Sequence, residues 1–253
     1  MIEINKLYND DCLHKMQFID DKSIDAIITD LPYGQTARNK WDSVIPFKPL
    51  WEQYERIIKD NGAIILFANG MFTADLMESN KKLWKYNLIW EKTQPTGFLN
   101  AKRMPLRFHE DICIFYKKLP TYNPQMTEGH TPVHSYTKHT TDGNCYGATK
   151  TGISGGGSTQ RYPRDVLQFK WDTQKISLHQ CQKPVEACEY FIKTYTNPGD
   201  LVLDSCAGSC TTAVAALNTG RNYICFEKDK DIFEVGSKRV AEYANQDLLI
   251  SAT

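Results

Sequence analysis

The sequence lacks a net charge, a long apolar run and closely spaced cysteine pairs, and each absence narrows the class of protein. The 253 residues include 30 basic and 30 acidic side chains. No apolar stretch nears the roughly 20 residues that span a bilayer. The first ten residues, MIEINKLYND, have neither the basic region nor the apolar segment of a signal peptide. We therefore predict a cytoplasmic protein with no membrane partner and one large α/β domain.

The cysteines and histidines give little support for a bound metal ion. The eight cysteines are scattered, and none belongs to a Cys-x-x-Cys pair. Most lie in apolar stretches, where a reduced thiol behaves as a small hydrophobic side chain. His130, His134 and His139 are spaced irregularly in a polar segment, which is not typical of metal ligands. We predict no metal site.

The neutral total conceals an uneven distribution of charge. Residues 81–183 contain 16 basic and 7 acidic side chains, whereas the rest of the chain contains 14 basic and 23 acidic ones. Solvated surfaces usually mix the two signs, so a basic middle between acidic flanks favours a polyanionic partner such as a nucleic acid. The pattern alone also fits an ordinary solvated surface.

Short apolar runs alternate with helical patterns over most of the chain. The predicted strands are residues 24–30, 62–69, 86–92, 111–117, 200–205 and 222–227. Most of these strands are too uniformly apolar to belong to a sheet with one solvent-exposed face. Strands that alternate with helices predict an α/β fold that is doubly wound, with a mostly parallel sheet and helices on both faces.

Three segments between these strands have helical patterns. In residues 48–60 the apolar side chains share one helical face, and Asn61-Gly62 predicts where that helix ends. Residues 183–195 carry a proline at their start, as helices often do. Residues 211–220 run from two threonines to a terminal glycine.

Residues 120–172 interrupt this alternation. The segment is rich in His, Gly, Ser and Thr and has few aliphatic residues. A loop of this length inside a compact domain is uncommon and is usually functional, although a variable surface loop is the alternative. We predict a main domain formed by residues 1–119 and 173–253, with an inserted recognition region at residues 120–172.

A strand, a tight turn, a helix and a second strand follow one another in residues 201–227. Asp204 ends the first strand, and Glu227 ends the second. In doubly wound folds an acid at the second position commonly accepts hydrogen bonds from ribose hydroxyls. The turn at residues 205–210 consists mostly of small residues, so the backbone can approach a ligand closely. A threonine then caps the helix, whose N–H groups attract an anionic group.

The same turn argues against one cofactor and for another. It is not Gly-x-Gly-x-x-Gly, so a nicotinamide dinucleotide fits poorly. A turn without a phosphate cradle better suits a nucleoside joined to an amino acid, such as S-adenosyl-L-methionine (SAM). Acidic residues can balance the cationic groups of SAM, and helix N–H groups can bind its carboxylate. The alternative is that this segment only packs.

The stretch Asp30-Leu31-Pro32-Tyr33 places a carboxylate and an aromatic ring at the end of a predicted buried strand. An exocyclic amine of a nucleic-acid base is a poor nucleophile because its lone pair is delocalised into the ring. Asp30 and the Leu31 carbonyl, which Pro32 restrains, can accept its two N–H groups while Tyr33 stacks on the base. The alternative for an isolated short motif is a strand-end turn with a buried tyrosine.

Taken together, these residues resemble the amino-group DNA methyltransferases that modify adenine N6 or cytosine N4. The Asp-Pro-Pro-Tyr motif of that family corresponds to Asp30-Leu31-Pro32-Tyr33. Its SAM-binding loop corresponds to Asp204-Ser205-Cys206-Ala207-Gly208-Ser209-Cys210-Thr211-Thr212, and the motif ahead of the loop corresponds to His179-Gln180-Cys181-Gln182-Lys183-Pro184. The order of the motifs along the chain is that of the beta group.

The resemblance implies a Rossmann-like methyltransferase sheet and a site-specific enzyme that moves a methyl group from SAM to an extruded base of double-stranded DNA. The first position of the catalytic motif is acidic, as it is in the adenine-N6 enzymes, whereas cytosine-N4 enzymes commonly have a serine there. Residues 120–172 would be the target-recognition region, and the main domain would be catalytic. The implied cofactor site also includes Asp11, Cys12, Asp30, Lys183, Glu227 and Lys228, of which Asp11 and Cys12 would line the adenine pocket.

Three residues of the SAM loop depart from the family pattern. Ser205, Cys206 and Cys210 replace Pro, Phe and Gly. The loss of an aromatic ring removes a stacking surface, and the Cβ of Cys210 narrows the turn, so we expect weaker SAM binding or a differently shaped loop. These substitutions leave a non-catalytic DNA-binding subunit with a degraded SAM loop as an alternative. Because the strand-end motif tolerates any planar amide or amine, a cytosine-N4 enzyme and an RNA or protein-amide methyltransferase are further alternatives.

Four basic residues before the predicted insertion are candidates for phosphate or base contacts: Lys92, Lys102, Arg103 and Arg107. Their alternative is solvated charge on a loop. Glu110 and the histidine before it are predicted to be a strand-entry pair rather than catalytic groups. Related enzymes often form dimers, so a homodimer is one possible assembly. The resemblance also implies a role in restriction and modification.

Overall fold

The computed structural model describes residues 2–35, 42–138, 152–170 and 182–250. Four residues named above, His139, His179, Gln180 and Cys181, lie outside these ranges. The chain divides into two compact units. The first comprises Met1–Asn123 and Asp165–Thr253, and the second comprises Pro124–Arg164.

Ten strands and six α-helices are found in the described residues. The strands are β1 (Lys6–Asn9), β2 (Ile24–Asp30), β3 (Ile58–Ala68), β4 (Trp84–Thr96), β5 (Arg107–Phe115), β6 (Tyr136–Lys138), β7 (Ile153–Gly155), β8 (Val166–Gln168), β9 (Leu201–Asp204) and β10 (Asn222–Glu227). The helices are α1 (Cys12–Lys15), α2 (Phe47–Ile57), α3 (Met71–Ser79), α4 (Val185–Tyr195), α5 (Thr211–Asn218) and α6 (Lys230–Ile250). None of these helices combines the length and the apolar character that a membrane span requires.

Eight strands of the first unit form one sheet in the order β1-β10-β9-β2-β3-β5-β4-β8. Neighbouring strands from β1 to β3 are parallel, whereas β5 runs antiparallel to both β3 and β4. The edge strand β8 is parallel to β4. The prediction of a doubly wound, mostly parallel α/β sheet is confirmed.

The alternation of side chains along β2 divides the core into two layers. Ala26 and Ile28 belong to the apolar cluster that includes α4 and α5, whereas Ile27 belongs to the cluster that includes α1, α2 and α3. All three side chains are fully buried. A central parallel strand has this pattern when helices cover both faces of its sheet.

The predicted helix end at Asn61-Gly62 is wrong. α2 ends at Ile57, and β3 begins at the next residue. Gly62 lies inside β3, where a Cβ atom would come within 2.7 Å of both the Asp25 carbonyl oxygen and the Cδ1 of Ile58. The glycine therefore permits the close approach of β2 and β3 beside a shift in their register.

Three short strands, β6, β7 and β8, were not predicted, because they lack a recognisable apolar run. β8 falls within residues 120–172, the predicted insertion, yet it pairs with β4 in the main sheet. The second unit contains the antiparallel hairpin of β6 and β7, in which Tyr136 pairs with Gly155. A bridge between Thr127 and Arg161 lies in the same unit.

Parallel pairing brings the carboxyl ends of β1, β2, β9 and β10 to one edge of the sheet. Asp30, Asp204 and Glu227 end three of these strands, and Asp10 follows the fourth. In open α/β sheets, ligands bind at this edge. The strand order therefore gathers the acidic side chains that the motifs place far apart in the sequence.

Candidate active site

A cavity of about 850 Å³ opens at the carboxyl edge of the sheet. This volume accommodates a nucleotide-sized ligand. The residues predicted as catalytic or cofactor-binding line it, except Cys210: Asp11, Cys12, Asp30, Leu31, Pro32, Tyr33, Lys183, Asp204, Ser205, Cys206, Ala207, Gly208, Ser209, Thr211, Thr212, Glu227 and Lys228. The fold thus brings the early and the late motif to the same cavity.

The Asp30 carboxylate, at the end of β2, is held by protein on both oxygens. The Tyr33 hydroxyl donates to Oδ1 over 2.6 Å, and the Lys183 ammonium donates to Oδ2 over 2.5 Å. Each carboxylate oxygen has a second lone pair, so Asp30 can accept a further N–H from a ligand. Burial raises the pKa of Asp30 above its ordinary value, although Lys183 and Tyr33 oppose the rise.

The two residues that flank Pro32 face different surroundings. The Leu31 side chain is buried in the core, so the group that it can offer a ligand is its backbone carbonyl. Tyr33 is half-buried, and its ring stacks on Phe72 with a centroid distance of 4.9 Å. The Lys183 ammonium also lies over the Tyr33 ring, 5.9 Å from its centroid. Stacking of this ring on a base stays a prediction.

Lys183 also contacts a second acid. Its Nζ lies 3.4 Å from Glu110 Oε2, and the Nζ of Lys92 lies 2.5 Å from Glu110 Oε1. Lys92 lies on β4 and Glu110 lies on β5, and these two strands are adjacent and antiparallel. The four side chains, which we call the charge chain, alternate in sign in the order Asp30, Lys183, Glu110 and Lys92.

The charge chain changes the interpretation of two residues. Lys92 is only 5% exposed and lies in the cavity wall, which does not support its predicted contact with DNA phosphate. Glu110, set aside above as a strand-entry residue, joins both lysines. Burial alone would raise the pKa of Glu110, but Lys183 and Lys92 outweigh it, so the pKa lies below its ordinary value.

Asp204 anchors the turn that follows β9. Its Oδ2 accepts the Thr212 hydroxyl over 2.6 Å, and its Oδ1 accepts the Cys206 backbone N–H over 3.0 Å. Burial raises the pKa of Asp204 to about 7. Near neutral pH this carboxyl therefore exists in both protonation states, and a nearby cation would favour the ionised one.

Glu227, at the end of β10, connects this turn to the neighbouring loop. Its two oxygens accept the backbone N–H groups of Gly208, over 2.9 Å, and Asp229, over 2.8 Å. Burial raises the pKa of Glu227 above its ordinary value. Asp11 caps α1 by accepting the Leu13 N–H over 2.9 Å. Its other oxygen lies 2.9 Å from the exposed ammonium of Lys228 at the rim.

Ser205 replaces the proline of the family loop and is bound into the core. Its hydroxyl lies 2.6 Å from the Tyr54 hydroxyl of α2, and its backbone N–H donates to Thr29 Oγ1 over 3.1 Å. Ser205 is buried, and Cys206 beside it is half-buried in the cavity wall. The structure thus holds the altered loop by hydrogen bonds that proline could not make.

Cys210 replaces a glycine of the family loop, and the expected narrowing of the turn is wrong. The residue adopts the left-handed conformation with φ of 61°, is fully buried and does not line the cavity. Its side chain points toward α6, where a Cβ on Gly236 would lie 2.5 Å from Cys210 Sγ. The missing side chain at Gly236 makes room for the additional one at Cys210.

Arg239 of α6 supports the loop from the opposite side, and no motif predicted it. Its guanidinium donates to the Ser209 carbonyl over 3.0 Å and to the Thr211 hydroxyl over 3.1 Å. The side chain is only 4% exposed. Of the other predicted DNA-binding residues, Arg107 lines the cavity, and Lys102 and Arg103 are exposed outside it.

Comparison with known proteins identifies the family to which this site belongs. The model of the N6/N4 methyltransferase family, described as DNA methylase, matches residues 24–238, which is most of the chain. The chain belongs to this family. This methyltransferase has SAM as its cofactor, and its substrate class is DNA.

Its relatives match nearly the whole chain. The Type II methyltransferase M1.MboII of Moraxella bovis is 28% identical over 269 residues, which cover 97% of this chain and 96% of the relative. The Type II methyltransferase M.BglII of Bacillus subtilis is 25% identical over 254 residues, which cover 92% and 68%, respectively. The matched region therefore spans nearly all of M1.MboII and about two thirds of M.BglII.

Two solved structures share its fold. The M1.HpyAVI–SAM complex superposes with a TM-score of 0.59 at 23% identity and covers 92% of this chain and 98% of that one. The PvuII DNA methyltransferase, which is cytosine-N4-specific, gives a TM-score of 0.65 at 15% identity and covers 95% and 91%. At these identities the likeness concerns the fold alone.

The charge of the cavity fits the cofactor of the methyltransferase. Eight acidic and four basic residues line it. This surplus of acid suits a ligand that carries a sulfonium and an ammonium group. Gly208 has a φ of 51°, and no atom lies within 4 Å of the position that a Cβ would take, so its backbone is open to a ligand.

A first prediction concerns the charge chain. Lys92→Met should lower the free energy of unfolding by on the order of 3 kcal/mol, because it leaves the buried Glu110 carboxylate with less compensating charge. Urea unfolding of the methyltransferase measures the change. The matched control is Lys118→Met, which removes an exposed partner of Asp60 and should leave stability unchanged. Equal effects of the two variants would contradict the burial argument.

A second prediction concerns the contact between α6 and the SAM loop. Gly236→Ala should lower the free energy of unfolding by about 1–3 kcal/mol, since its Cβ would overlap Cys210 Sγ. In a Cys210→Gly background the same substitution should lower it by less than half as much. A double-mutant cycle in urea measures the coupling. If the penalty is the same in both backgrounds, the proposed compensation is incorrect.

Proposed function

We propose that this methyltransferase modifies N6 of adenine at a specific sequence in duplex DNA, after the base has left the helix. The observation that carries the proposal is the Asp30 carboxylate, which lies in the cavity and retains lone pairs for a further donor. The acidic residue at this motif position supports adenine over cytosine. The shared fold of the cytosine-N4-specific PvuII enzyme has no bearing on the base, because the two chains are only 15% identical.

The proposed chemistry needs two fixed acceptors for one amino group. Asp30 and the Leu31 carbonyl accept the two N–H groups of the base, which localises the nitrogen lone pair and directs it away from the ring. The charge chain holds Asp30 in place through Lys183, which Glu110 binds in turn. Acceptors that need no rearrangement during the reaction are a main source of rate acceleration.

The remaining lining residues are proposed to hold the cofactor. When bound, SAM supplies an electrophilic methyl group on a sulfonium centre. Glu227 accepts ribose hydroxyls, and Asp11 and Cys12 border the adenine. Asp204 balances the positive charge, and the N-terminus of α5 faces the carboxylate. Ser205, Cys206 and Lys228 contribute to the wall and the rim of this site.

Basic residues beside the cavity are proposed to contact DNA. All three are exposed: Lys102 and Arg103 precede β5, which carries Glu110, and Arg107 begins that strand and lines the cavity. They can therefore reach phosphates near the cavity. The inserted residues 120–172 are proposed to recognise the target sequence. The composition of that segment and its separate compact unit, Pro124–Arg164, support this role.

A third prediction follows from the raised pKa of Asp204. The affinity for SAM should rise about tenfold between pH 6 and pH 8, because a cationic ligand favours the ionised carboxylate and the pKa of the free site is about 7. Calorimetry across this pH range measures the affinity. Asp204→Asn should bind SAM more weakly and lose the pH dependence attributable to this group. An Asn variant with the wild-type pH profile would exclude Asp204 as its source.

A fourth prediction tests the base and the role of Asp30 together. The wild-type protein should transfer tritiated methyl groups from SAM to plasmid DNA, and nucleoside analysis should find N6-methyladenine. Asp30→Asn should lower kcat by about 100-fold or more, because one acceptor of the amino group becomes a poorer one. SAM binding should stay largely intact.

The matched control for this experiment is Asp60→Asn, which changes a partly exposed carboxylate that binds lysines away from the cavity. It should leave kcat unchanged. Recovery of N4-methylcytosine from DNA treated with the wild type would contradict the adenine assignment. Unchanged turnover in Asp30→Asn would contradict the role of the carboxylate.

A further inference from the structure

The hairpin between β4 and β5 projects beyond the mouth of the cavity. Thr96 and Arg107 pair at the base of its loop, and both line the cavity. Arg107 lies three residues before Glu110 along β5, roughly 10 Å further toward the carboxyl edge of the sheet. The loop of residues 97–106 therefore lies beyond the carboxyl edge of the sheet, where the cavity opens.

This loop exposes large apolar side chains. Leu99 is fully exposed, Phe98 is 67% exposed, and Met104 is 58% exposed. Single exposed apolar residues are common on protein surfaces, whereas several within seven residues at the mouth of a site indicate an interaction surface. Lys102 and Arg103 lie between them and are also exposed. An apolar tip with flanking cations matches the interior and the backbone of a nucleic acid duplex.

The loop is ordered by its own backbone. Residues Phe98–Asn100 form a short 3₁₀ turn, which begins after Gly97 in the left-handed conformation with φ of 92°. The Asn100 carbonyl accepts the N–H groups of Arg103, over 2.8 Å, and Met104, over 3.1 Å. A tip that is already folded loses little conformational entropy on binding.

We propose that Phe98, Leu99 and Met104 form an apolar wedge that enters the base stack of the substrate duplex and fills the gap left by the extruded base. The proposal rests on the extrusion step of the proposed function, but not on whether the base is adenine or cytosine. Extrusion unstacks a base and exposes apolar surface in the helix, and inserted apolar side chains offset this loss. Lys102 and Arg103 hold the phosphates beside the gap.

The test compares two duplexes that differ only opposite the target base. Methylation-sensitive sequencing of DNA from cells that express the chain first gives the recognition sequence. Leu99→Ala should then lower kcat/KM about ten- to a hundredfold on the matched duplex. It should lower kcat/KM less than about threefold when an abasic site lies opposite the target, since the base then leaves the helix more easily. Leu99→Met should retain most of the activity.

The matched control is Leu119→Ala, which truncates a 79%-exposed leucine beyond the other end of β5. It should leave kcat/KM unchanged on both duplexes. An equal loss for Leu99→Ala on both duplexes, or no loss on either, would overturn the wedge. The identity of the methylated base is read separately from the product, so failure of the adenine assignment is distinguishable from failure of the wedge.

Discussion

Acidic side chains at the carboxyl ends of parallel strands constrain the rest of the structure, because each loses contact with water there and must be bound by protein instead. Asp30 binds Lys183, Asp204 binds Thr212, and Glu227 binds backbone N–H groups of two loops. Burial nevertheless raises the pKa of all three acids. The cavity therefore favours a cationic ligand through the same groups that fix its shape, so binding and architecture are not separable here.

The departures from the family motif show how distant elements absorb a change in a loop. Ser205 gains a partner in Tyr54 of α2, and Cys210 occupies space that Gly236 of α6 leaves open. The third departure, Cys206, replaces the aromatic residue of the motif and lies in the cavity wall, so the inner surface of the SAM loop is altered there. The residues that accommodate Ser205 and Cys210 lie in other elements, so the sequence of the loop does not reveal them.

Features of the fold that depend on local sequence patterns are predicted from the sequence. Contacts that depend on the pairing of strands are not. The bounds of β2 and β10 agree with the prediction, since apolar runs specify them. The start of α5 also agrees, but the predicted threonine cap is wrong, because Cys210 occupies the N-cap position and makes no side-chain cap hydrogen bond. Asn61-Gly62 imitates a helix end although Gly62 serves the contact of two strands. The local pattern does not reveal the role of Glu110, because its partner Lys92 lies 18 positions away and the register of β4 on β5 brings the two together. Arg239 belongs to no recognised motif, so its contacts with the SAM loop could not be predicted.

The charge chain also revises what the basic middle of the sequence means. Lys92 and Lys183 belong to that segment, yet both neutralise buried acids and add little to the potential outside the protein. The surface that faces DNA is therefore less positive than the composition suggests. Electrostatic attraction to phosphate does not by itself unstack a base. Cations beside the cavity can hold the duplex, and apolar side chains must then open it, which is the combination that the tip of the β4–β5 hairpin presents.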